Sequence, residues 1–371
     1  MFKNSAAWLI ENKARPLQVK SAAYTRPREG EIVIRNYATA INPIDWRIQD
    51  MGTSMMYKWI KYPCILGSDV AGEVVEVGPQ VTRFKVGDRV VGQAVGKDEK
   101  RNRDAECAFQ LYVVLLEHMV SPIPESLPYE NAAVIPLAVA TAACGLFQAD
   151  QLGLQLPSTS PKPKGETLLI WGGSTSVGSC AIQLAVGAGY EVFATASPKN
   201  FDYVKKLGAA KVFDYNNRTV VDEIVKAFKG KTSAGAITMA SAGTECCMDI
   251  LNRCSGKKFV SLAAYPVPAT IPKHFPVLQT MFTFITRSFV YWFKSKTLGV
   301  NYNLIFATSL IENGIGKSIF ADYLPQALET GRFQASPEPI VAGTGLEGIQ
   351  DAMDYQKTGV SARKVVVSLK D

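Results

Sequence analysis

Residues 1–135 show one pattern of apolar and polar positions, and the residues after them show another. The first part carries short β-rich runs divided by Gly, Pro and Asp turn signals, among them EIVIRNYATAI, SDVAGEVVEVG and DRVVGQAVG. Short strands separated by turn residues are typical of a small barrel. The pattern therefore predicts a β-barrel at the N-terminus.

After residue 135 the pattern predicts helices that alternate with strands. AAVIPLAVATAACGLFQAD indicates a helix with a proline near its start, and a polar linker, LPSTSPKPKGE, follows it. Helices are then predicted at SVGSCAIQLAVGAG and PKNFDYVKKLGA, and strands at TLLIWG, YEVFATA, AKVFDY, AGAITMAS and KKFVSLAA. This alternation predicts an α/β domain with a doubly wound parallel sheet. The last strand candidate, RKVVVSL, could belong to either domain.

Length and charge limit the classes of function. A chain of 371 residues with 47% hydrophobic content is long enough for two domains. The 40 basic and 33 acidic residues give a net charge of +7, and the cations are scattered along the chain. Scattered cations favour a small ligand that bears phosphate over a nucleic acid.

The cysteines and the N-terminus point to a cytoplasmic protein. The seven cysteines show neither a disulfide framework nor CxxC pairs, which indicates a reducing compartment. The N-terminal MFKNSAAWLIENKARP lacks the apolar run of a signal peptide, and no uninterrupted apolar stretch is long enough to predict a membrane span.

The segment TLLIWGGSTSVGSCAIQLA places a glycine-rich turn between a strand and a helix. Two glycines allow a tight turn, the hydroxyl residues offer donors, and a third glycine lets the helix pack closely on the sheet. An ordinary βα turn is the alternative, but the strand-turn-helix context favours binding of a dinucleotide pyrophosphate. The predicted loop comprises Gly172, Gly173, Ser174, Thr175, Ser176, Val177 and Gly178.

The end of the second predicted strand favours NADPH over NADH. An NAD enzyme places Asp or Glu there to bind the ribose 2′-hydroxyl. In FATASPKNFDY, Ser197 and Lys199 stand at this place, and a hydroxyl beside an ammonium suits a 2′-phosphate. The alternative is that Lys199 is a solvated residue in the first turn of the next helix.

Several motifs together resemble the medium-chain dehydrogenase/reductase superfamily over nearly the whole chain. They are AINPIDW, LGSDVAGEVVEVG, VGDRVVG, PLAVATA, GGSTSVG and GLEGIQDAMDYQKTGVSARKVVVSL. The resemblance implies a GroES-like β-barrel catalytic domain at 1–135, a Rossmann NADPH-binding domain at 136–310, and a return to the catalytic domain at 311–371.

The chain departs from the zinc enzymes of that superfamily. Its first motif carries Asn42 and Asp45 without a thiolate, Ser68-Asp69 replaces a His-Glu pair, and Cys144 stands almost alone near the third ligand position. Catalytic zinc needs three good protein ligands, so we expect no metal. These departures resemble the zinc-lacking branch, which includes quinone oxidoreductases, enoyl reductases and fungal trans-acting enoyl reductases that serve polyketide synthases.

This resemblance implies hydride transfer from NADPH to an activated C=C bond or a quinone. Such a reduction leaves negative charge on the carbonyl oxygen, which needs a donor or a cation. Arg47 and Tyr57 are the catalytic candidates, although Arg47 could instead form a structural ion pair. Tyr62, Asn42 and Asp45 are candidates for shaping the substrate site, and an aromatic loop around Tyr57 and Tyr62 could be simply a pocket wall.

Further residues match family positions near the cofactor. Thr141 could orient the nicotinamide ring and so assist catalysis, or it could bond its own helix. Tyr215 matches a position that packs on the 2′-phosphoribose, and Leu262 ends a predicted strand. Lys364, next to Arg363, could reach the phosphate or the substrate entrance, although two adjacent cations before a strand are commonly solvated.

One segment is unusually aromatic, FPVLQTMFTFITRSFVYWFKSKTLGV. It could be a lid over an apolar substrate, the surface of a homodimer, or a helix on a membrane surface. Relatives form dimers through the edge of the nucleotide domain.

The leading functional hypothesis is reduction of an apolar α,β-unsaturated carbonyl. Quinone reduction and ketone or alcohol dehydrogenation are alternatives, and so is a non-catalytic NADPH-binding partner of a larger synthase.

Overall fold

The computed structural model describes residues 2–53, 57–268, 270–272 and 274–370. The chain forms two compact units. Unit 1 comprises residues 1–137, 316–331 and 335–371, and unit 2 comprises residues 138–315 and 332–334. The domain limits expected from the sequence, 1–135, 136–310 and 311–371, stay predictions.

Unit 1 consists mainly of strands. It contains α1 (Pro43–Met51), α2 (Tyr129–Ala132), α10 (Leu324–Glu329), α11 (Gly348–Lys357), β1 (Asn4–Leu9), β2 (Gln18–Ala22), β3 (Glu31–Ala40), β4 (Cys64–Ile65), β5 (Asp69–Val77), β6 (Arg89–Gln93), β7 (Tyr112–Leu116), β8 (Val120–Pro122), β16 (Pro339–Thr344) and β17 (Lys364–Ser368). Short 3₁₀ turns lie at Asp104–Glu106 and Glu117–Met119.

The strands of unit 1 form two sheets. A three-stranded sheet has the order β2-β1-β4, and a seven-stranded sheet has the order β16-β17-β3-β5-β6-β8, with β7 paired to β3. The C-terminal β17 lies between β16 and β3, so the segment RKVVVSL belongs to unit 1. Its Val365, Val366 and Val367 are fully buried, which explains the continuous apolar run.

Unit 2 alternates strands with helices. It contains α3 (Pro136–Phe147, which begins in unit 1), α4 (Ser176–Gly187), α5 (Phe201–Lys206), α6 (Val220–Ala227), α7 (Ser241–Asn252), α8 (Pro276–Leu298), α9 (Gly314–Lys317, which ends in unit 1), β9 (Glu166–Trp171), β10 (Glu191–Ala196), β11 (Lys211–Asp214), β12 (Thr232–Thr238), β13 (Ser255–Gly256), β14 (Phe259–Leu262) and β15 (Asn301–Leu304). 3₁₀ turns lie at Pro198–Asn200 and Ala307–Glu312, and a π-helical turn in unit 1, Ser318–Tyr323, joins α9 to α10.

The sheet of unit 2 is doubly wound. Its strand order is β11-β10-β9-β12-β14-β15, with β13 paired to β12, and the strand pairs are parallel. The chain starts at β9, moves outward to β11 and then returns to β12 on the other side. Ligands of such sheets bind at the carboxyl ends of the strands, where the order reverses. The predicted doubly wound fold is confirmed.

Buried apolar side chains hold α6, α7 and α8 against one face of this sheet. They include Leu169, Phe193, Ile224, Met248, Leu251, Val260 and Tyr291. At about 1.5–3 kcal/mol for each large side chain removed from water, this core fixes the positions of the strand ends.

Among the described residues, the stretch Tyr129–Phe147 has the length and hydropathy of a membrane-spanning helix. However, 78% of it is buried inside the protein. Core helices of soluble proteins pass the same test, and burial accounts for the apolar composition here.

Candidate functional site

The loop after β9 is tied to the neighbouring strand. Gly172 adopts a φ of +98°, a conformation that glycine reaches without strain. Its N–H donates to Oγ1 of Thr195 at 3.0 Å, and the N–H of Gly173 donates to the carbonyl oxygen of Thr195 at 2.8 Å. Two hydrogen bonds to β10 therefore fix where the loop turns back.

Thr175 begins α4 as its N-cap. Its hydroxyl donates to the carbonyl oxygen of Gly172 at 2.9 Å, while Oγ1 accepts from the N–H of Gly178 at 3.0 Å. A Cβ on Gly178 would lie 2.2 Å from the oxygen of Gly172, so glycine is required there. This close approach leaves a compact turn at the start of a buried helix.

The turn fits a dinucleotide pyrophosphate. The first N–H groups of a helix have no partner within the helix, and they carry the positive end of its dipole. In α4 the hydroxyl of Thr175 serves the N–H of Gly178, while Ser176 and Val177 provide N–H groups at the helix start, next to Ser174 of the turn. These groups would hold the phosphates of a nicotinamide cofactor.

Other predicted cofactor residues follow strands of the same sheet edge. Ser197 and Lys199 follow β10, Tyr215 follows β11, and Leu262 ends β14. Because parallel strands share their carboxyl edge, these residues lie on the side of the sheet that bears the loop. Lys199 and Tyr215 are exposed, Leu262 is buried, and Oγ of Ser197 accepts from the side-chain amide of Asn200 at 3.1 Å. Their contacts with a cofactor stay predictions, as does that of the half-buried Thr141 in α3.

In unit 1, the predicted Asn42 and Asp45 belong to a buried polar cluster at the start of α1. The backbone N–H of Asn42 donates to Oδ2 of Asp45 at 2.8 Å, which closes one half of a capping box. The side-chain amide of Asn42 donates to Oδ2 of Asp69 at 2.8 Å. Lys364 completes the cluster, since its ammonium donates to Oδ1 of Asn42 and lies 3.1 Å from Oδ2 of Asp69.

This position of Lys364 differs from the expected reach toward a cofactor phosphate. The side chain is only 6% exposed, and its charge is neutralised by Asp69 inside unit 1. A cation buried with its counter-ion leaves that partner only at a large desolvation penalty. The cofactor role of Lys364 stays a prediction, and the structural role is the one that its contacts support.

Burial raises the pKa of two predicted site residues. Burial raises the pKa of Asp45 to about 7, although the N–H of Asn42 and the charge of Lys364 act in the opposite direction. Burial, together with the negative charge of Asp45, raises the pKa of Tyr57 to about 12. The phenol of Tyr57 therefore keeps its proton at neutral pH, as a hydrogen-bond donor must.

Arg47 and Tyr62 have contacts within unit 1. The guanidinium of Arg47 lies 4.9 Å from the ring centroid of Trp46, and burial lowers its pKa. The hydroxyl of Tyr62 donates to Oδ1 of Asn12 at 3.4 Å on the surface. Tyr57 packs edge-on against Trp59, and the role of the aromatic loop as a pocket wall stays a prediction. Three residues before Tyr57, namely 54–56, lie outside the described residues.

The sequence did not predict the ion pair between Asp69 and Lys364. It also did not predict that Thr195 holds the loop after β9 by a hydrogen bond to Gly172. A carboxylate at the start of the apolar strand β5 is a signal for a buried partner, because buried charges are paired. The sequence does not indicate that the partner lies 295 positions further on, in β17.

A doubly wound sheet with a glycine-rich loop before α4, together with a β-rich unit completed by C-terminal strands, is the fold of nicotinamide-dependent oxidoreductases. The family model described as the alcohol dehydrogenase GroES-like domain matches residues 28–125, and the zinc-binding dehydrogenase model matches residues 176–283. The chain belongs to the medium-chain dehydrogenase/reductase superfamily, and the family binds a nicotinamide cofactor.

Individual relatives extend over the full chain. Dehydrogenase pigH of Monascus ruber is 57% identical over 100% of both chains. Trans-enoyl reductase himH of Aspergillus japonicus is 38% identical over 99% of this chain and 97% of its own. The crystal structure of an alcohol dehydrogenase superfamily protein from Novosphingobium aromaticivorans superposes with a TM-score of 0.74 at 22% identity, over 99% of this chain and 100% of that one.

The second family model is named for zinc, but the residues at the expected place do not fit a zinc ion. Oδ1 of Asp69 accepts from the N–H of Leu137 at 2.6 Å, and Oδ2 is occupied by Asn42 and Lys364. Cys144 bonds Gln148 in unit 2, and burial raises its pKa. Within the described ranges no three His, Cys, Asp or Glu side chains are placed to hold a metal. The expectation of a metal-free enzyme stays a prediction.

Proposed function

We propose that this protein reduces the activated C=C bond of an apolar unsaturated carbonyl compound with NADPH and without a metal. The observation that carries the proposal is the dinucleotide loop at Gly172–Gly178, in a chain that is 38% identical to a protein named a trans-enoyl reductase. The loop supports cofactor binding, and the relative supports the class of reaction.

The preference for NADPH rests on the segment after β10. Ser197 and Lys199 stand where an NAD enzyme needs a carboxylate. Lys199 is exposed, so its ammonium is accessible to a 2′-phosphate. The hydroxyl of Ser197 accepts from Asn200 and still has a proton to donate.

When bound at the loop after β9, NADPH would supply the hydride for the β-carbon of the substrate. The electron pair of the C=C bond moves toward the carbonyl, and the oxygen becomes an enolate. Arg47 and Tyr57 are the residues of this chain that we assign to this oxygen, since a guanidinium or a phenol can donate to it. A proton from solvent or from Tyr57 then reaches the α-carbon and completes the reduction.

Asp69 and Lys364 have a positioning role in this proposal. Together with Asn42 they hold the start of α1, and Arg47 lies in the same helix. Lys364 neutralises Asp69 within this cluster, and the pKa of Asp45 near 7 leaves part of the Asp45 carboxyl protonated at neutral pH.

The substrate is a small molecule, and its delivery by a polyketide synthase is part of the proposal. The Aspergillus japonicus relative is named a trans-enoyl reductase, and trans-enoyl reductases act with polyketide synthases, which supports such a partner. A cytosolic location is proposed with it.

The first experiment measures oxidation of reduced nicotinamide with a panel of enones, enals, quinones and simple ketones. We expect turnover of an enone or enal that prefers NADPH over NADH and persists in the presence of a metal chelator. Reduction of quinones alone would instead favour the quinone reductase. Tight NADPH binding without turnover of any compound would favour a non-catalytic partner protein.

The catalytic assignment is tested with Tyr57→Phe, which removes only the hydroxyl. If the phenol is the general acid, kcat falls by roughly 10²–10⁴ while the KM for NADPH stays unchanged. Tyr355→Phe is the matched control, because Tyr355 is an exposed tyrosine in α11. An unchanged kcat in Tyr57→Phe would remove Tyr57 from the mechanism and leave Arg47 as the candidate.

The cofactor assignment is tested with Lys199→Glu, which places a carboxylate beside the proposed 2′-phosphate site. We expect a KM for NADPH that rises at least 10-fold, about 1.4 kcal/mol, and a smaller change for NADH. Lys205→Glu in α5 serves as the control for charge reversal. Equal effects on both cofactors would contradict the proposed phosphate contact.

A further inference from the structure

Residues 96–107 of unit 1 fold back on themselves, and we call this segment the 96–107 loop. The N–H of Gly96 donates to the carbonyl oxygen of Glu106 at 2.8 Å, and the N–H of Arg103 donates to the carbonyl oxygen of Gly96 at 3.1 Å. These two backbone hydrogen bonds close the base of the loop.

Four charged side chains reinforce this base. The carboxylates of Glu31 and Glu106 are almost completely buried, at 3% and 0% exposed. Arg101 and Arg103 each donate to both carboxylates. Charge-assisted hydrogen bonds of this kind are strong, and a buried carboxylate is strongly destabilising once it loses its partners. The base of the loop is therefore held in one conformation.

The loop holds Trp59 by two hydrogen bonds. The indole N–H of Trp59 donates to the carbonyl oxygen of Lys97 at 3.0 Å. The side-chain amide of Asn102 donates to the carbonyl oxygen of Trp59 at 3.1 Å. One bond fixes the ring of Trp59 and the other fixes its main chain, and both partners belong to the 96–107 loop.

A further contact joins the loop to the chain that follows Trp59. Oδ1 of Asp104 accepts from the backbone N–H of Ile65 at 3.1 Å and from the ammonium of Lys97 at 2.8 Å. The segment from Trp59 to Ile65 is therefore bound to the loop at both of its ends.

Trp59 in turn contacts the proposed proton donor. Its ring packs edge-on against the ring of Tyr57, with the ring centroids 5.4 Å apart and an angle of 63° between the planes. We propose that the 96–107 loop positions Tyr57 through Trp59, which makes Trp59 and Asn102 positioning residues. This role rests on the proposed function, in which the phenol of Tyr57 donates to the enolate oxygen. A misplacement of about 1 Å at a reacting group can cost roughly 10² in rate.

The exposure of these residues separates a positioning role from a role in folding. Trp59 is half-buried and Asn102 is exposed, so water can replace the hydrogen bond between them at little cost in stability. Asn102 has a φ of +42°, a region that asparagine enters more readily than most residues and that glycine enters freely. Asn102→Gly therefore removes the amide without straining the backbone.

Steady-state kinetics test the proposal. We expect Asn102→Gly and Trp59→Phe each to lower kcat about 10-fold, with unchanged circular dichroism and an unchanged KM for NADPH, whose loop lies in unit 2. Trp59→Phe keeps an aromatic ring beside Tyr57 and loses only the indole donor. Gln80→Gly is the matched control, because Gln80 is exposed in unit 1 with a φ of +63°. Full kcat in both variants, where Tyr57→Phe is impaired, would overturn the proposal.

A double variant shows whether the loop acts through the phenol. Tyr57→Phe combined with Asn102→Gly should have the kcat of Tyr57→Phe alone, since the positioned hydroxyl is already absent. A further loss of about 10-fold in the double variant would overturn the proposal, because the loop would then act on another group.

A spectroscopic measurement distinguishes failure of this inference from failure of the proposed function. With 3-fluorotyrosine at position 57, we expect the fluorine resonance to shift or broaden in Asn102→Gly and in Trp59→Phe, but not in Gln80→Gly. A resonance that neither variant changes would refute positioning by the loop. A resonance that does change, in a protein whose Tyr57→Phe variant keeps full kcat, would place the failure in the catalytic assignment of Tyr57 and refute the positioning role with it.

Discussion

Asp45 is a buried carboxyl whose proton is held more tightly in the folded chain than in the unfolded chain. Burial raises its pKa from 3.8 to about 7. Between these two values the folded chain binds more protons than the unfolded chain, so the free energy of unfolding decreases as the pH rises. Below this window the group is protonated in both states, and above it the group is ionised in both.

We expect this carboxyl to lower the free energy of unfolding by up to about 1.4 kcal/mol per pH unit between pH 4 and 7. Asp45→Asn removes the titrating carboxyl. The unaltered chain should therefore lose stability relative to Asp45→Asn as the pH rises, as measured by urea unfolding at several pH values. Asp222→Asn, at an exposed position, is the control. Parallel pH profiles for the unaltered chain and Asp45→Asn would contradict the assignment.

Lys364 and Asp69 form a buried ion pair, so removing one partner leaves an uncompensated charge. Lys364→Met should lower the free energy of unfolding by roughly 3–5 kcal/mol. Lys370→Met removes a surface pair with Glu130 and should cost less than about 1 kcal/mol. Both are measured by denaturant unfolding.

The same Lys364 variant separates the structural role from the predicted cofactor role. A destabilised protein that still binds NADPH with unchanged affinity supports the structural role. A stable protein with weakened NADPH binding would support the cofactor contact instead.

The local sequence predicted the glycine-rich turn between β9 and α4, because strand, turn and helix are adjacent in the chain, while the binding of a dinucleotide by this turn stays a prediction. Gly172 and Gly178 do occupy positions where a side chain would be strained or would collide. The cluster around Asp69 was not predictable in the same way. Its ammonium comes from β17, and only the pairing of β17 with β3 brings the two segments together.

At the scale of elements, the turn between β9 and α4 depends on the contact between Gly178 and Gly172. In Gly178→Ala the added Cβ meets the Gly172 oxygen at 2.2 Å, so the turn must open. We expect NADPH affinity to fall at least 100-fold, measured by fluorescence titration, because the N–H groups lose their arrangement. In Gly314→Ala the added Cβ meets no atom within 4 Å, and affinity should stay as in the unaltered chain. Equal affinities in the two variants would show that the turn does not hold the phosphates.

Helix α8 shows how far an element can be predicted without its packing. The aromatic segment does form a helix, over Pro276–Leu298. The sequence left its role open among a lid, a dimer surface and a membrane helix, because periodicity gives two faces but not which of them is covered. Here hydrogen bonds of Tyr291 and Lys294 with α7 decide that the polar face is inside.

At the scale of the whole molecule, the loop Gly172–Gly178 belongs to unit 2. A ligand that binds only the folded state raises the free energy of unfolding of the unit that binds it. NADPH at 100 times its dissociation constant should add about 2.7 kcal/mol to the stability of unit 2. Hydrogen exchange should slow in residues 166–187 more than in residues 69–77 of unit 1. Uniform protection of both segments, or none at the loop, would contradict cofactor binding at α4.

Unit 1 is formed by segments from both ends of the chain, and this affects the order in which its sheet can form during translation. Strand β3 emerges early, but β17, its neighbour in the sheet, is translated only after all of unit 2. Residues 41–363 lie between the two strands, so at about 5–20 residues per second β17 follows β3 by on the order of 15–65 s. During this interval residues 38–40 of β3 lack the strand that pairs with them, so the sheet of unit 1 is completed only after β17 is synthesised.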